Sequence, residues 1–143
     1  MYPIEKIEFL AENVVEVEVK APLVASHAKP GQFIILRVDE EGERVPFTIC
    51  DLDREKGTVT VLVQTVGYST MLLAKMKAGQ ALADFVGPLG HPTDLSPYKK
   101  IMLVGGGIGS AVIYPQAKAL FSEGKPADVI VGARTKSLVM YEA

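Results

Sequence analysis

Val15-Glu16-Val17-Glu18-Val19-Lys20 sets valine on one side of an extended chain and charge on the other. A period of two marks a strand with one face in a core and one in water, the habit of antiparallel sheets. Outward from this stretch, residues 4–10, 32–38, 46–52, 58–65 and 80–86 read as further strands. Lys29-Pro30-Gly31, Glu41-Gly42-Glu43 and Lys56-Gly57 supply turn chemistry between them. Six short strands at this spacing predict a closed or nearly closed antiparallel barrel. Between the fifth and sixth, residues 70–76 are rich in helix formers, with Ser69 or Thr70 as N-cap and Gly79 as the stop, so one short helix is expected there.

Past Gly87-Pro88-Leu89-Gly90 the periodicity changes. Ile101-Met102-Leu103-Val104 is a continuous apolar run closed by glycines, which predicts a strand buried on both faces of a parallel sheet. Residues 108–121 then predict a helix ending near Gly124 despite Pro115, and Asp128-Val129-Ile130-Val131 a second buried strand. Residues 100–132 therefore spell one βαβ unit. A lone unit of this kind leaves sheet edges and a helix-packing face open, so the second part of the chain is expected to be incomplete, with self-association or disorder after about Tyr98.

Composition narrows the function classes. The 143 residues suit about one domain of ~150 residues. Fifteen Lys and Arg against seventeen Asp and Glu give a net charge of −2, which lacks the basic footprint of nucleic-acid binding. No apolar run reaches the ~18 residues of a membrane span, and Met1-Tyr2-Pro3-Ile4-Glu5-Lys6 has neither part of a secretory leader. Cys50 is the single cysteine, so neither a disulfide nor a cysteine metal site is expected, and the reducing cytoplasm is the default compartment. His27 and His91 lack ligand spacing, Met71, Met76 and Met102 fall in apolar runs that read as core, and no Ser/His/Asp or Cys/His pairing suggests hydrolysis.

Three stretches carry candidate chemistry. Gly105-Gly106-Gly107-Ile108-Gly109 follows a strand and opens a helix, where bare backbone N–H groups can approach a pyrophosphate at the positive end of the helix dipole. The alternative is a tight turn without a ligand, since Ser110 stands where the full G-x-G-x-x-G pattern has its last glycine. After the next strand, Arg134 and Lys136 stand where an acidic residue would hold a ribose, which leaves NAD and NADP both open. Arg44-Val45-Pro46-Phe47-Thr48 offers a cation, an aromatic face and a hydroxyl in succession. Val66-Gly67-Tyr68-Ser69-Thr70 feeds a helix N-terminus, a natural anion site or an ordinary cap.

Taken in order, R-x-P-F-T, G-Y-S-T, G-P-L-G and V-G-G-G-I-G resemble the ferredoxin–NADP reductase superfamily over essentially the whole chain. Its electron-transfer branch, with the dihydroorotate dehydrogenase electron transfer subunits and the small subunits of NADH-dependent ferredoxin:NADP oxidoreductases, is the nearer likeness. The resemblance implies a six-stranded antiparallel Greek-key β-barrel binding FAD over residues 1–98. An incomplete α/β Rossmann-like nucleotide domain would follow over residues 99–143. Thr48 would sit near flavin N5, closest to the chemistry, with Pro46 and Phe47 along the isoalloxazine. Arg44, Gly67, Tyr68, Ser69 and Thr70 would hold the pyrophosphate. Gly105, Gly106, Gly107, Ile108 and Gly109 would take NAD or NADP, with Arg134 beside the ribose. The common pattern has its arginine three residues before the hydroxyl, and Val45 stands there instead. Branch members continue into a [2Fe-2S] cysteine cluster, so this chain reads as an N-terminal piece, with a catalytic partner subunit or a ferredoxin-like acceptor taking its electrons. The alternative is a non-catalytic flavin- or nucleotide-binding module, or one used for protein contact.

Overall fold

A computed structural model describes residues 1–142. Strands β1 (Tyr2–Ala11), β2 (Val14–Lys20), β3 (Phe33–Arg37), β4 (Val45–Asp53), β5 (Thr58–Gln64), β6 (Ala81–Leu82) and β7 (Asp84–Leu89) form one sheet in the order β6-β1-β2-β5-β4-β3-β7. Every pairing in it is antiparallel. The run β2-β5-β4-β3 is a Greek key: three consecutive strands lie side by side, and the strand before them lies beside the last.

The count is seven, not the expected six. What reads as one strand at 80–86 is broken at Ala83, whose N–H donates to the Arg37 carbonyl at 3.0 Å. The residues before the break pair with β1, and those after it pair with β3, at the other end of the sheet. One nearly continuous segment thus belongs to both margins, and the twisted sheet nearly closes on itself.

The valine alternation explains the barrel's interior. Val15 lies opposite Val63, Val17 opposite Val61 and Val19 opposite Val59, and all six are fully buried. Ile4, Ile34, Leu36, Leu73, Leu82 and Phe85 complete the core. A six-residue helix, α1 (Pro22–His27), starts on a proline at its first position, where the missing N–H costs nothing, and buries Val24 and Ala25. Sequence periodicity gave no sign of it. Helix α2 (Tyr68–Ala74) starts earlier than expected, with Gly67 rather than Ser69 or Thr70 as its N-cap.

Beyond the barrel, β8 (Met102–Gly106) and β9 (Asp128–Gly132) run parallel, joined by helix α3 (Ser110–Ser122). The expected βαβ connection is present, but burial of both strands on both faces is not. Met102, Val104 and Ile130 share a face that nothing among the described residues packs, and Val129, on the opposite face, is exposed because α3 packs against β8 rather than β9. A second apolar cluster, made of Val14, Cys50, Leu62, Ala111 and Met140, sits between the outside of the barrel and α3. No helix among the described residues is long and apolar enough to cross a membrane.

Candidate functional site

The start of α2 faces the loop before β4 across a groove of about 510 Å³. Gly67, Tyr68, Ser69 and Thr70 line one side, and Asp39, Glu41, Glu43 and Val45 the other. Thr70 builds the wall rather than lining it with a free hydroxyl. Its Oγ1 accepts hydrogen bonds from the N–H groups of Val66 and Gly67, both at 3.0 Å, and donates to the Gly67 carbonyl at 2.9 Å. The N–H groups of Tyr68, Ser69 and Thr70 have no partner among the described residues. They are the orphan donors of a helix's first turn. Gly67 adjoins open space, with nothing within 4 Å of where a Cβ would stand. The acidic side of the groove has a plain sequence signal in Asp39-Glu40-Glu41-Gly42-Glu43, which turn chemistry alone does not interpret.

Strand β4 distributes its motif over two faces. Phe47, like Ile49, turns inward and packs half-buried against the barrel core. Thr48 points the other way, cross-strand from Phe33, and Pro46 is exposed. Arg44 stands just before the strand, mostly exposed, with a guanidinium nitrogen 3.3 Å from Asp84 Oδ2. Arg37 Nε lies 2.7 Å from the same oxygen but off the N–H direction, so that pair is held by charge rather than by a hydrogen bond. Arg44 therefore shares its partner and keeps a solvent-facing side.

The glycine loop divides its labour. Gly105 is buried, and a Cβ there would stand 3.0 Å from Ser110 Cα, so this glycine lets α3 approach the strand. Gly107 has φ +57°, a left-handed conformation that suits glycine. At Gly106, Gly107 and Gly109 a Cβ would meet nothing within 4 Å, which leaves bare backbone beside open space. Ile108 packs into the second apolar cluster. Arg134 is exposed, beyond the end of β9. The structure thus brings Gly67 to Thr70 together around one groove and Gly105 to Gly109 around one turn.

Behind β4 lies an arrangement that sequence reasoning missed. Cys50 is fully buried, with its Sγ 3.2 Å from the Tyr141 hydroxyl, which donates to Glu16 Oε2 at 2.9 Å. Tyr141 stacks on Tyr114, with ring centroids 4.5 Å apart, and Lys118 Nζ meets Asp51 Oδ1 at 2.6 Å. Burial pushes the Cys50 thiol up to about 12, only partly offset by the Tyr141 hydrogen bond. Burial likewise raises Tyr141. The sign follows: a thiol kept neutral by folding stabilises the fold fully below its unfolded value near 9, and that stability drains away as pH climbs towards about 12. Urea midpoints between pH 9 and 12 should therefore fall more steeply for the wild type than for Cys50→Ala. Parallel slopes would contradict this. No group of three or more potential metal ligands occurs among the described residues.

Comparison with known proteins agrees with this architecture. Residues 2–93 match the oxidoreductase FAD-binding domain family. An uncharacterized protein in the adh 3' region of Clostridium beijerinckii is 48% identical over 149 aligned residues, covering 99% of this chain and 50% of that protein. The dihydroorotate dehydrogenase B (NAD(+)) electron transfer subunit homolog of Thermotoga maritima is 41% identical over 131, covering 92% of this chain and 46% of the relative. Among solved structures, one reported for NADH-dependent reduced ferredoxin-NADP oxidoreductase, in the context of flavin-based electron bifurcation, superposes with a TM-score of 0.94 at 40% identity. That match covers 99% of this chain and 52% of the other. Phthalate dioxygenase reductase, at 20% identity and a TM-score of 0.81, shares the fold. The chain spans about half the length of these relatives. With a barrel of this topology and a family match over most of its length, the chain belongs to the oxidoreductase FAD-binding domain family.

Proposed function

We propose that the chain is the flavin-holding part of an electron-transfer subunit, which binds FAD across the outer face of β4 and the start of α2 and meets a nicotinamide nucleotide at the glycine loop. The observation that carries this reading is the open backbone: Gly67 beside three unpartnered N–H groups, and Gly106, Gly107 and Gly109 with nothing over them. Such donors at helix starts suit phosphate oxygens. The residues present therefore fit a dinucleotide.

In this reading the N–H groups of Tyr68, Ser69 and Thr70 bind the pyrophosphate, and Arg44 adds charge from its exposed side. Thr48 presents a hydroxyl to the flavin ring system on the face that Pro46 shares, and Phe47 supports that strand from within the core. Gly105 to Gly109 seat the nicotinamide nucleotide, and Arg134 is placed to meet a 2′-phosphate if NADP is the one taken. FAD supplies hydride acceptance and one-electron release, which lets such a subunit feed a partner subunit, a ferredoxin-like acceptor or an iron–sulfur centre outside these residues. Residues 1–98 would form the flavin unit and residues 99–143 the opening of a Rossmann-like nucleotide unit. Exposed Met102, Val104, Val129 and Ile130 support self-association through that second unit.

Titration with FAD tests the reading. One equivalent should bind and turn the protein yellow, and NADH or NADPH should bleach it under anaerobic conditions. Gly67→Val, whose extended backbone (φ −154°) accepts a branched side chain, should fold normally and yet bind FAD at least about tenfold more weakly, because its methyls stand in the groove. A colourless wild type that takes up no FAD would overturn the reading. Bound flavin that no nicotinamide nucleotide bleaches would favour a non-catalytic flavin-binding module.

A further inference from the structure

After β9 the chain returns to the barrel, where Met140 enters the second apolar cluster and Tyr141 makes the polar contacts. The Tyr141 hydroxyl reaches Glu16 on β2 and Cys50 on β4, while its ring lies on Tyr114 of α3 at an interplanar angle of 22°. Three elements distant in sequence converge on this residue. Tyr141 also has φ +58°, a left-handed conformation that ring-bearing side chains avoid. Such a backbone persists where its surroundings over-determine it. Glycine would adopt it freely, so the ring and hydroxyl are what the position retains. Ile108, inside the glycine loop, packs in the same cluster as Tyr141, Tyr114 and Cys50. The loop's placement is therefore coupled to this contact. Further along α3, the Lys118–Asp51 pair makes a second attachment to β4.

We propose that Tyr141 is a positioning residue, a latch that holds the first half of α3 and the glycine loop against β4 and so fixes the spacing between the two cofactor cradles. Beside the apolar cluster around Ala111, two polar attachments hold α3 to the barrel, and losing one loosens the helix at that end. Without the hydroxyl, the N-terminal half of α3 and the loop before it loosen more than the Lys118 end. The effect on the docking of α3 is independent of the flavin reading above, whereas the effect on the cradles rests on it.

Tyr141→Phe keeps the stacked ring and removes both hydrogen bonds. Followed by deuterium exchange in the chain with FAD added, amides at 108–114 should exchange about tenfold faster, those at 118–122 less so, and those of the β2–β5 core at the wild-type rate. Glu16→Leu should reproduce the pattern, Glu16→Gln, which still accepts, should restore most of the protection, and Tyr141→Phe with Glu16→Leu should add nothing further. Flavin uptake should be unchanged while bleaching by NADH or NADPH slows about tenfold. Unchanged exchange at 108–114, uniform loosening of the whole chain, or additive effects of the two substitutions would each overturn the latch. If exchange rises but bleaching stays at the wild-type rate, the role in positioning falls. If the wild type takes up no FAD, the flavin reading falls and the exchange pattern alone decides the latch.

Discussion

Truncating Phe85 to alanine should destabilise the protein by about 3–5 kcal/mol, the range for removing a buried aromatic ring from a tight core. Phe85 is 2% exposed, lies opposite Leu36 across the β3–β7 pairing and sits 5.9 Å, centroid to centroid, from Tyr2 of β1. Its ring therefore contacts both margins of the sheet at the place where they approach. A cavity there cannot collapse inward, because β7 is held by its own ladder. Against a total stability of roughly 5–15 kcal/mol, this loss should lower the urea midpoint substantially at an unchanged slope. A loss below about 1 kcal/mol would mean that the margin is loosely packed.

Gly31→Ala should be nearly as damaging, for a different reason. Gly31 has φ +95°, and an added Cβ would stand 2.7 Å from the Thr93 backbone nitrogen and closer still to its hydroxyl. The Thr93 N–H donates to the Pro30 carbonyl at 2.9 Å, so the methyl strains its own backbone and pushes the connecting segment off the barrel. Strain and overpacking together should cost about 2–5 kcal/mol. Thermal melting checks the magnitude. Proteolysis checks the place, because new cleavage should concentrate in residues 91–98. A stable variant with that segment intact would refute the account.

The parts of the fold legible in the sequence were those set by local alternation. Val15, Val17 and Val19 declare a buried face, and their partners Val59, Val61 and Val63 repeat the pattern. The strand count failed at Ala83 because a segment that changes partners keeps its alternation, and only the sheet's closure shows the break. Helix α1 is too short to display a period. In the site, the glycine run was visible as a unit, but the separate tasks of Gly105 and Gly106 depend on where Ile113 and Ser110 arrive. The inward aim of Phe47 was readable from its parity with Ile49, although the motif drew attention to its ring instead. Tyr141 was illegible, since its partners lie on β2, β4 and α3 and nothing near it in sequence names them.

The doubly paired segment at Ala81 to Leu89 also dictates an order of events during synthesis. Tyr2 must wait for Leu82 to find its strand partner, and Ile35, beside Pro46 on one side, for Val86 on the other. A nascent chain on the ribosome that ends short of Leu89 carries two unsatisfied strand edges, which are templates for aggregation. Emergence of one short stretch covers both edges together, so the barrel's own need for chaperones should fall at that point in translation.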